Sequence, residues 1–403
     1  MTKRKQWNVI GLALLLGVFS TLGPFTIDMY LPAFPEIAAM FNTNASLVQF
    51  SLTACLLGLG MGQLVVGPIS DAHGRRKPLL ISMVAYIICS LACAYSPNIG
   101  MLILFRFTQG FAASAGIVIS RAIARDLYSG HELTKFFSLL LLVGNLGPLA
   151  APIAGSGVLT FTSWPGVFIS LAILGVFLYI MTQWRLKETN PPEKRVAPNF
   201  KLQLRGYGTM LRDRKFVGYM LAQGIMTAGV FAYVAGTPFI YQNIYGVSPT
   251  VFSILFASNG ISLIIGSQIV GRMSHRIPEQ TLLLSGLWLA LISSVVVVVV
   301  TIAQGPLFAL VLPLFFFVCS IGITSTAAFP LAMESQSKMA GSAAALLGVV
   351  PFVLGALVAP IVGIAGEDTA VPLGLTLLGT SIVAVVTYFL LVAKKDQNSA
   401  QTH

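Results

Sequence analysis

Two ionisable side chains, Asp28 and Arg106, lie deep inside long apolar stretches of the sequence. Charged groups in such surroundings are energetically costly and usually serve a function. Apolar surroundings disfavour the ionised form of Asp28, whereas a nearby arginine or a cationic ligand favours it. That competition can couple proton binding to a change of conformation. We therefore predict that Asp28 carries a proton and that Arg106 regulates it electrostatically. The alternative is a permanent buried ion pair that locks two helices together.

Membrane-spanning helices are the elements that must position this pair. Of the 403 residues, 56% are hydrophobic and 9% are charged, and the mean hydropathy is +0.85. A helix needs about 20 apolar residues to cross a bilayer, which leaves no room for a sizeable soluble catalytic domain. We predict an all-α membrane protein with twelve transmembrane helices. The predicted spans are 8–34, 46–69, 79–96, 98–121, 135–160, 164–185, 214–241, 249–271, 281–302, 306–330, 339–364 and 371–393.

These spans put the two charged residues at similar depths. Asp28 is about 6 residues from the outer end of its span and Arg106 about 8. At a rise of 1.5 Å per residue, they lie roughly 9 and 12 Å below the same membrane surface. We therefore expect both side chains to share one layer of the protein.

Basic residues fall on alternate links between the spans, including Arg75–Lys77 and the long link after span six. By the positive-inside rule, we predict a multi-pass membrane protein with both termini in the cytoplasm. The net charge of +11 then reflects orientation toward anionic lipid headgroups, and no nucleic-acid partner is expected. The predicted orientation also rests on the basic residues Lys3, Arg4, Lys5, Lys338, Lys394 and Lys395. The links near 35–45, 96–98, 161–163, 242–248, 303–305 and 365–370 contain no Lys or Arg.

Two similar halves flank a polar connector. Residues 186–213 are basic and proline-containing, which is typical of a solvated linker. Leu149–Gly155 in span five resembles Leu357–Gly363 in span eleven, and the ends of spans two and eight also match. We predict an N-terminal six-helix bundle at 1–185, a cytoplasmic linker at 186–213 and a C-terminal six-helix bundle at 214–403, related by a repeat.

No motif indicates an enzyme, a metal site or a cofactor. The sequence has no Gly-Lys dipeptide, hence no P-loop, and no His-Glu-x-x-His zinc motif. Cys89 and Cys93 are one helical turn apart, but without a nearby His or further Cys we interpret them as packing residues. The basic residues before span one also resemble a signal peptide. Because the apolar run continues to Phe34 without a cleavage site, we expect this span to be retained.

Two segments of the first half resemble signatures of the major facilitator superfamily. Gly67–Arg76, which reads Gly-Pro-Ile-Ser-Asp-Ala-His-Gly-Arg-Arg, is similar to its cytoplasmic signature, with Ala72 where a basic residue often follows the acid. Leu104–Gly110 is similar to its second signature and places Arg106 at the arginine position. The second-half counterpart of the first motif is degenerate, with His275 in place of the acid.

Two further segments point to a branch of that family. Gly144–Gly155 is similar to the pattern associated with drug:proton antiporters, and Asp28–Pro35 resembles the bicyclomycin-resistance (Bcr/CflA) branch. The resemblance covers the whole chain. It implies the twelve-span fold of that family and proton-coupled efflux of drugs.

The first motif implies a cytoplasmic gate. Gly67 and Gly74 permit close helix approach and a tight turn, while Asp71 can accept from amides at the start of span three and pair with Arg121 or Arg125. The same basic cluster also anchors topology in any membrane protein, and the two roles are compatible. The predicted gate residues are Gly67, Asp71, Gly74, Arg75, Arg76 and Arg121.

The span-five motif implies a hinge that seals one face against proton leak. Its prolines each remove a backbone donor, and its glycines permit close packing; plain small-residue packing is the alternative. The predicted hinge residues are Gly144, Gly147, Pro148, Pro152 and Gly155.

A mostly apolar and aromatic cavity with few polar anchors suits amphipathic, drug-like substrates. The candidates for binding them are Tyr30, Asn145, Gln223, Tyr233 and Asn259, although helix-helix hydrogen bonds explain each residue equally well. We expect a monomeric antiporter that exchanges such substrates for protons, without a cofactor. The alternatives are a selective exporter of one endogenous metabolite (a peptide, sugar or siderophore), uptake by symport, and a receptor or scaffold that does not transport.

Overall fold

The computed structural model describes residues 9–195, 206–334, 336, 340–364 and 369–393. This part of the chain is helical without β-strands, and twelve of its stretches are long and apolar enough to cross a membrane. The prediction of an all-α membrane protein with twelve spans is therefore confirmed. Some basic residues used to predict the orientation lie outside the described residues, namely Lys3, Arg4, Lys5, Lys338, Lys394 and Lys395.

The described residues form thirteen α-helices, of which the short α2 extends the first span. They are α1 (Val9–Asp28), α2 (Phe34–Met40), α3 (Ala45–His73), α4 (Arg76–Ala94), α5 (Ile99–Leu127), α6 (Gly130–Leu159), α7 (Trp164–Arg185), α8 (Arg214–Phe239), α9 (Pro249–Met273), α10 (Glu279–Ile302), α11 (Leu307–Glu334), α12 (Ala340–Val358) and α13 (Val371–Tyr388). Short 3-10 turns cover Leu31–Ala33, Pro192–Lys194 and Ala359–Gly363, and π-helical turns cover Ile240–Ile244 and Phe389–Ala393.

Polar residues between the spans start several helices. The side chain of Asn98 accepts a hydrogen bond from Met101 N (2.9 Å) at the start of α5, and Asp213 accepts one from Lys215 N (3.1 Å) at the start of α8. Each cap satisfies an amide that has no partner within its helix. Helix boundaries therefore follow from single polar residues at the ends of apolar runs.

The chain divides into two compact units. Unit 1 comprises Met1–Tyr30 and Leu57–Asn199, and unit 2 comprises Leu31–Leu56 and Phe200–His403. In unit 1, α1 packs against α5 and α6, and α4 packs against α5 and α7. In unit 2, α8 packs against α11, α12 and α13.

Polar and aromatic contacts hold the 31–56 segment within unit 2. Gln49 Nε2 donates to the carbonyl oxygen of Ala235 (3.2 Å), and Gln242 Nε2 donates to that of Pro32 (3.2 Å). The predicted domain boundaries, which place this segment in the first half of the chain, stay a prediction.

Candidate functional site

Arg106 lies in the third turn of α5 and is completely buried. Its Nη1 donates to Gln109 Oε1 (2.6 Å) and its Nη2 to the carbonyl oxygen of Thr26 (2.8 Å). Its guanidinium carbon lies 4.1 Å from the ring centroid of Tyr30 and 5.6 Å from that of Phe168. Neutral acceptors and aromatic faces thus contribute to stabilising the cation.

A buried hydrogen-bond network extends from this arginine into neighbouring helices. Gln109 Nε2 donates to Ser90 Oγ (2.8 Å) of α4, and the hydroxyl groups of Thr26 and Tyr86 lie 2.8 Å apart. The network therefore ties α1, α4 and α5 together around Arg106. Buried polar groups that bond one another across helices in this way fix the relative register of those helices.

Asp28 is the last residue of α1 and is 6% exposed. Arg106 contacts Thr26 and Tyr30, which flank Asp28 in the chain. Within the described residues, the ion pairs closer than 4 Å both involve Arg75, and the Asp28 carboxylate has no hydrogen-bond partner. The alternative of a locked Asp28–Arg106 ion pair is therefore not what this structure contains.

The predicted hinge glycines of α6 pack against α1. A Cβ atom on Gly147 would lie 2.9 Å from Pro24 Cβ, and a Cβ on Gly155 would overlap the carbonyl oxygen of Met29. Gly144 is less crowded, with its nearest neighbour, Ser20 Cβ, at 4.0 Å. Close contact with Gly155 thus fixes the backbone of α6 directly against the residue that follows Asp28.

We expect Gly155→Ala to destabilise the protein by about 1–3 kcal/mol, because the added methyl group meets backbone rather than a movable side chain. Gly157→Ala is the matched control. It lies on the same helix, has open space around its Cβ position, and should be neutral or stabilising by about 0.5–1 kcal/mol. Thermal unfolding in detergent measures the stability of both variants. Equal midpoints for the two variants would contradict the close approach.

Arg75, rather than Asp71, is the centre of the predicted cytoplasmic gate. Its guanidinium group forms an ion pair with Asp71, donates to Asp126 Oδ2 (2.9 Å) and donates to Ser70 Oγ (2.9 Å). Burial opposes the charge on this guanidinium, but the bonds to Asp126 and Asp71 outweigh it and raise the pKa of Arg75. Arg75 therefore stays protonated throughout the physiological range.

The structure corrects two expectations for this motif. Asp71 pairs with Arg75 rather than with Arg121 or Arg125, because Arg75 lies just across the Gly74 turn and reaches both Asp71 and Asp126. Gly67 makes no close helix contact, since a Cβ atom there would meet Val118 at an ordinary 3.6 Å. Gly74 does form the expected tight turn, with a φ of +87°.

Glu188 performs the capping that was predicted for Asp71. Its Oε1 accepts from the amides of Arg75 (2.7 Å) and Asn190 (3.0 Å), and its Oε2 accepts from that of Arg76 (3.1 Å). Asn190 Nδ2 in turn donates to the carbonyl oxygen of Asp71 (3.0 Å). The beginning of the predicted linker is thus docked onto the start of α4, where amides and the helix dipole favour a carboxylate.

We expect Glu188→Ala to expose these amides. Loss of a charged acceptor should raise hydrogen exchange at Arg75 and Arg76 by about tenfold or more, since a hydrogen bond to a charged group contributes about 1.5–3 kcal/mol. Glu193→Ala, an exposed acid in the same segment, is the control. Unchanged exchange in the Glu188 variant would show that the carboxylate does not hold this loop.

The predicted substrate-binding residues lie in both units and have different surroundings. In unit 2, Asn259 Nδ2 donates to the Tyr233 hydroxyl (2.7 Å), and the Tyr233 ring stacks on Phe256 (5.3 Å between centroids). Gln223 is half-buried in α8. In unit 1, Tyr30 is fully buried against Arg106, and Asn145 is exposed on α6. Their role in binding stays a prediction.

Several residues around these groups were not predicted from the sequence. Gln109 lies three residues after Arg106, so helical spacing places both on one face and was a usable signal. In contrast, Arg106 donates to the main-chain carbonyl oxygen of Thr26. Every residue has such an oxygen, so the residue type at position 26 does not indicate this bond. Tyr241 lies near Tyr233 and Asn259 in unit 2, and Asp126 and Glu188 complete the gate.

Comparison with known proteins agrees with this architecture. The family model described as Major Facilitator Superfamily matches residues 14–360. An uncharacterized MFS-type transporter of Bacillus subtilis (strain 168), YdgK, is 50% identical and aligns with 97% of this chain and 98% of its own. A bicyclomycin resistance protein homolog of Haemophilus influenzae is 30% identical over 94% and 96% of the two chains.

A solved structure shares the fold at low sequence identity. The xylose transporter XylE from E. coli, in a partially occluded inward open conformation, superposes with a TM-score of 0.75 at 13% identity. The superposition covers 95% of this chain and 98% of the other. At that identity the likeness concerns the fold alone.

Proposed function

This chain is a multi-pass membrane protein of the major facilitator superfamily, and we propose that it is an antiporter that exports drug-like amphipathic compounds in exchange for protons. The observation that carries the proposal is Asp28, a buried carboxylate without an ion-pair or hydrogen-bond partner among the described residues. The printed name of the 30%-identical relative, a bicyclomycin resistance protein homolog, supports export of antimicrobial compounds.

The charge arrangement supports a cycle in which Asp28 binds either a proton or a cationic substrate. Two of the groups that Arg106 bonds, the Gln109 side-chain amide and the Thr26 carbonyl, are neutral. The field of Arg106 favours the ionised carboxylate, while desolvation favours the protonated one. A change in the water access of Asp28 would shift this balance and thereby link proton release to conformation.

Unit 2 by itself has a group of neutral polar and aromatic residues that suits amphipathic compounds. Asn259 and Tyr241 are buried in apolar surroundings, and the rings of Phe252 and Phe256 lie 5.7 Å apart beside them. Aromatic faces with few hydrogen-bonding groups bind varied amphipathic molecules by area rather than by exact shape.

The test is transport in proteoliposomes with an imposed pH gradient and a panel of cationic, neutral and zwitterionic compounds. We expect several unrelated compounds to move against the proton gradient. A single carboxylate carries one proton, so exchange for a monovalent cation should not respond to an imposed membrane potential, whereas exchange for a neutral compound should. Movement of one metabolite alone would support the selective exporter, and transport that ignores pH would contradict proton coupling.

We further propose a monomer in a bacterial cytoplasmic membrane with both termini in the cytoplasm. The alternation of basic and non-basic links supports this orientation. Modification of single introduced cysteines by a membrane-impermeant reagent tests it. Labelling from outside should occur in the link at 242–248 and not at Lys77. The opposite pattern would invert the topology.

A further inference from the structure

An apolar groove of about 730 Å³ lies in unit 2, between the end of α12 and the segment of α13 from Val371 to Val383. Its floor includes Ile225 of α8, a helix that packs against both walls. Val358 and Ile361 line one wall, and Leu375 and Val383 line the other. We propose that this groove is a binding site for the acyl chain of a membrane lipid.

The surface of the groove is mostly hydrocarbon, even at the threonine side chains of α13. Thr376 Oγ1 donates to the carbonyl oxygen of Pro372 (2.7 Å), and Thr380 Oγ1 donates to that of Leu377 (3.0 Å). Since both hydroxyl protons are used within α13, Thr376 and Thr380 add no donor for a ligand. The third threonine of the lining, Thr369, stands just before α13, where its Oγ1 accepts from Val371 N (3.2 Å). A ligand with a polar centre would lose its hydrogen bonds along the length of α13, which argues against sugars, peptides and inorganic ions as occupants.

The dimensions match a linear chain. Along α13 the lining runs from Val371 to Val383, roughly 18 Å at a helical rise of 1.5 Å per residue. One leaflet contributes about half of a hydrocarbon core roughly 30 Å thick. The groove is therefore about as long as one leaflet is deep.

The break in α12 creates the width of the groove. The helix ends at Val358 and continues as the 3-10 turn Ala359–Gly363, where Pro360 lacks the amide proton of a regular helical turn. This segment is the second-half copy of the span-five motif, so the groove adjoins the counterpart of the predicted hinge.

The groove opens to the bilayer rather than to the protein interior. Its rim residues Ile361, Leu375 and Val383 are all exposed on helices that span the membrane, so it is continuous with the lipid-facing surface. Moving an acyl chain from the bilayer into the groove gains little free energy from the hydrophobic effect, because lipid tails are as apolar as leucine. Filling an apolar void instead restores dispersion contacts that its walls otherwise lack. A flexible acyl chain is the abundant neighbour able to do so.

The experiment uses the full chain in nanodiscs of phosphatidylcholine that contain a phospholipid with a diazirine on its acyl chain. After illumination, we expect adducts concentrated in peptides from 358–383. Gly379 lines the groove, and a Cβ atom there meets nothing within 4 Å. Gly379→Phe should fill the groove and lose these adducts while the protein stays folded.

The matched control is Gly157→Phe, a second exposed helical glycine with open space around it but outside the groove. It should keep the wild-type adduct pattern. Uniform labelling of all lipid-facing helices in the wild type would overturn the proposal, as would adducts that survive in Gly379→Phe. Displacement of the adducts by a transported amphipathic compound, but not by excess lipid, would assign the groove to substrate instead.

Discussion

Asp28→Asn is expected to abolish transport driven by a pH gradient. The amide is nearly the same size as the carboxylate but cannot exchange a proton, so the variant should retain its fold and lose coupling. Substrate uptake driven by proton efflux from proteoliposomes that are acidic inside should fall to the level of protein-free vesicles. Exchange of labelled for unlabelled substrate at equal pH should persist for neutral compounds, because that reaction needs no proton transfer.

The control for this variant is Glu36→Gln, which neutralises an exposed acid on α2. It should transport as the wild type does. Undiminished pH-driven transport by Asp28→Asn would contradict the assignment of Asp28 as the proton carrier. Loss of both pH-driven transport and exchange, with an unchanged unfolding midpoint, would instead point to a role in substrate binding.

Arg106→Ala is expected to destabilise unit 1 by about 3–5 kcal/mol, because Gln109 and the Thr26 carbonyl would each lose a buried charged donor. Arg106→Lys should recover only part of this. An ammonium group cannot donate in both directions while lying flat against Tyr30. Thermal or denaturant unfolding in detergent measures the loss, and both variants should transport poorly.

Arg125→Ala is the control, since Arg125 is exposed near the end of the same helix. We expect the free energy of unfolding of Arg125→Ala to change by no more than about 0.5 kcal/mol, as for most surface substitutions. If Arg106→Ala unfolded at the wild-type midpoint, the hydrogen-bond network would not be the reason that this arginine is buried.

Helical periodicity was sufficient to predict the spans, and charge placement singled out Asp28 and Arg106 within them. Apolar length reports how a helix crosses the bilayer, and depth follows from counting residues. The partners of Arg106 were harder to predict from the sequence. Gln109 could be found by its spacing along α5, but Tyr30 and the Thr26 carbonyl depend on how α1 is rotated against α5. Rotation between helices is set by side-chain packing, which a single sequence does not reveal.

The gate shows a second limit of sequence reasoning. Local rules favour Asp71 as the cap of α4, since it is close in sequence, yet Glu188 takes this role from 113 residues away. The acid stands in a basic, proline-containing segment that composition alone interprets as a solvated linker. A docking contact made by a few residues leaves no periodic signal.

The aromatic ring over Arg106 also gives the protein a built-in optical reporter. Phe168, which faces the guanidinium group, packs edge-on against Trp164 with 6.0 Å between ring centroids. Trp164 is 3% exposed, whereas Trp184 and Trp288 are 76% and 47% exposed. Replacing Trp7, Trp184 and Trp288 by Phe would leave the emission of Trp164 alone. Its wavelength and intensity would then follow rearrangements around the buried cation in real time, without an attached dye.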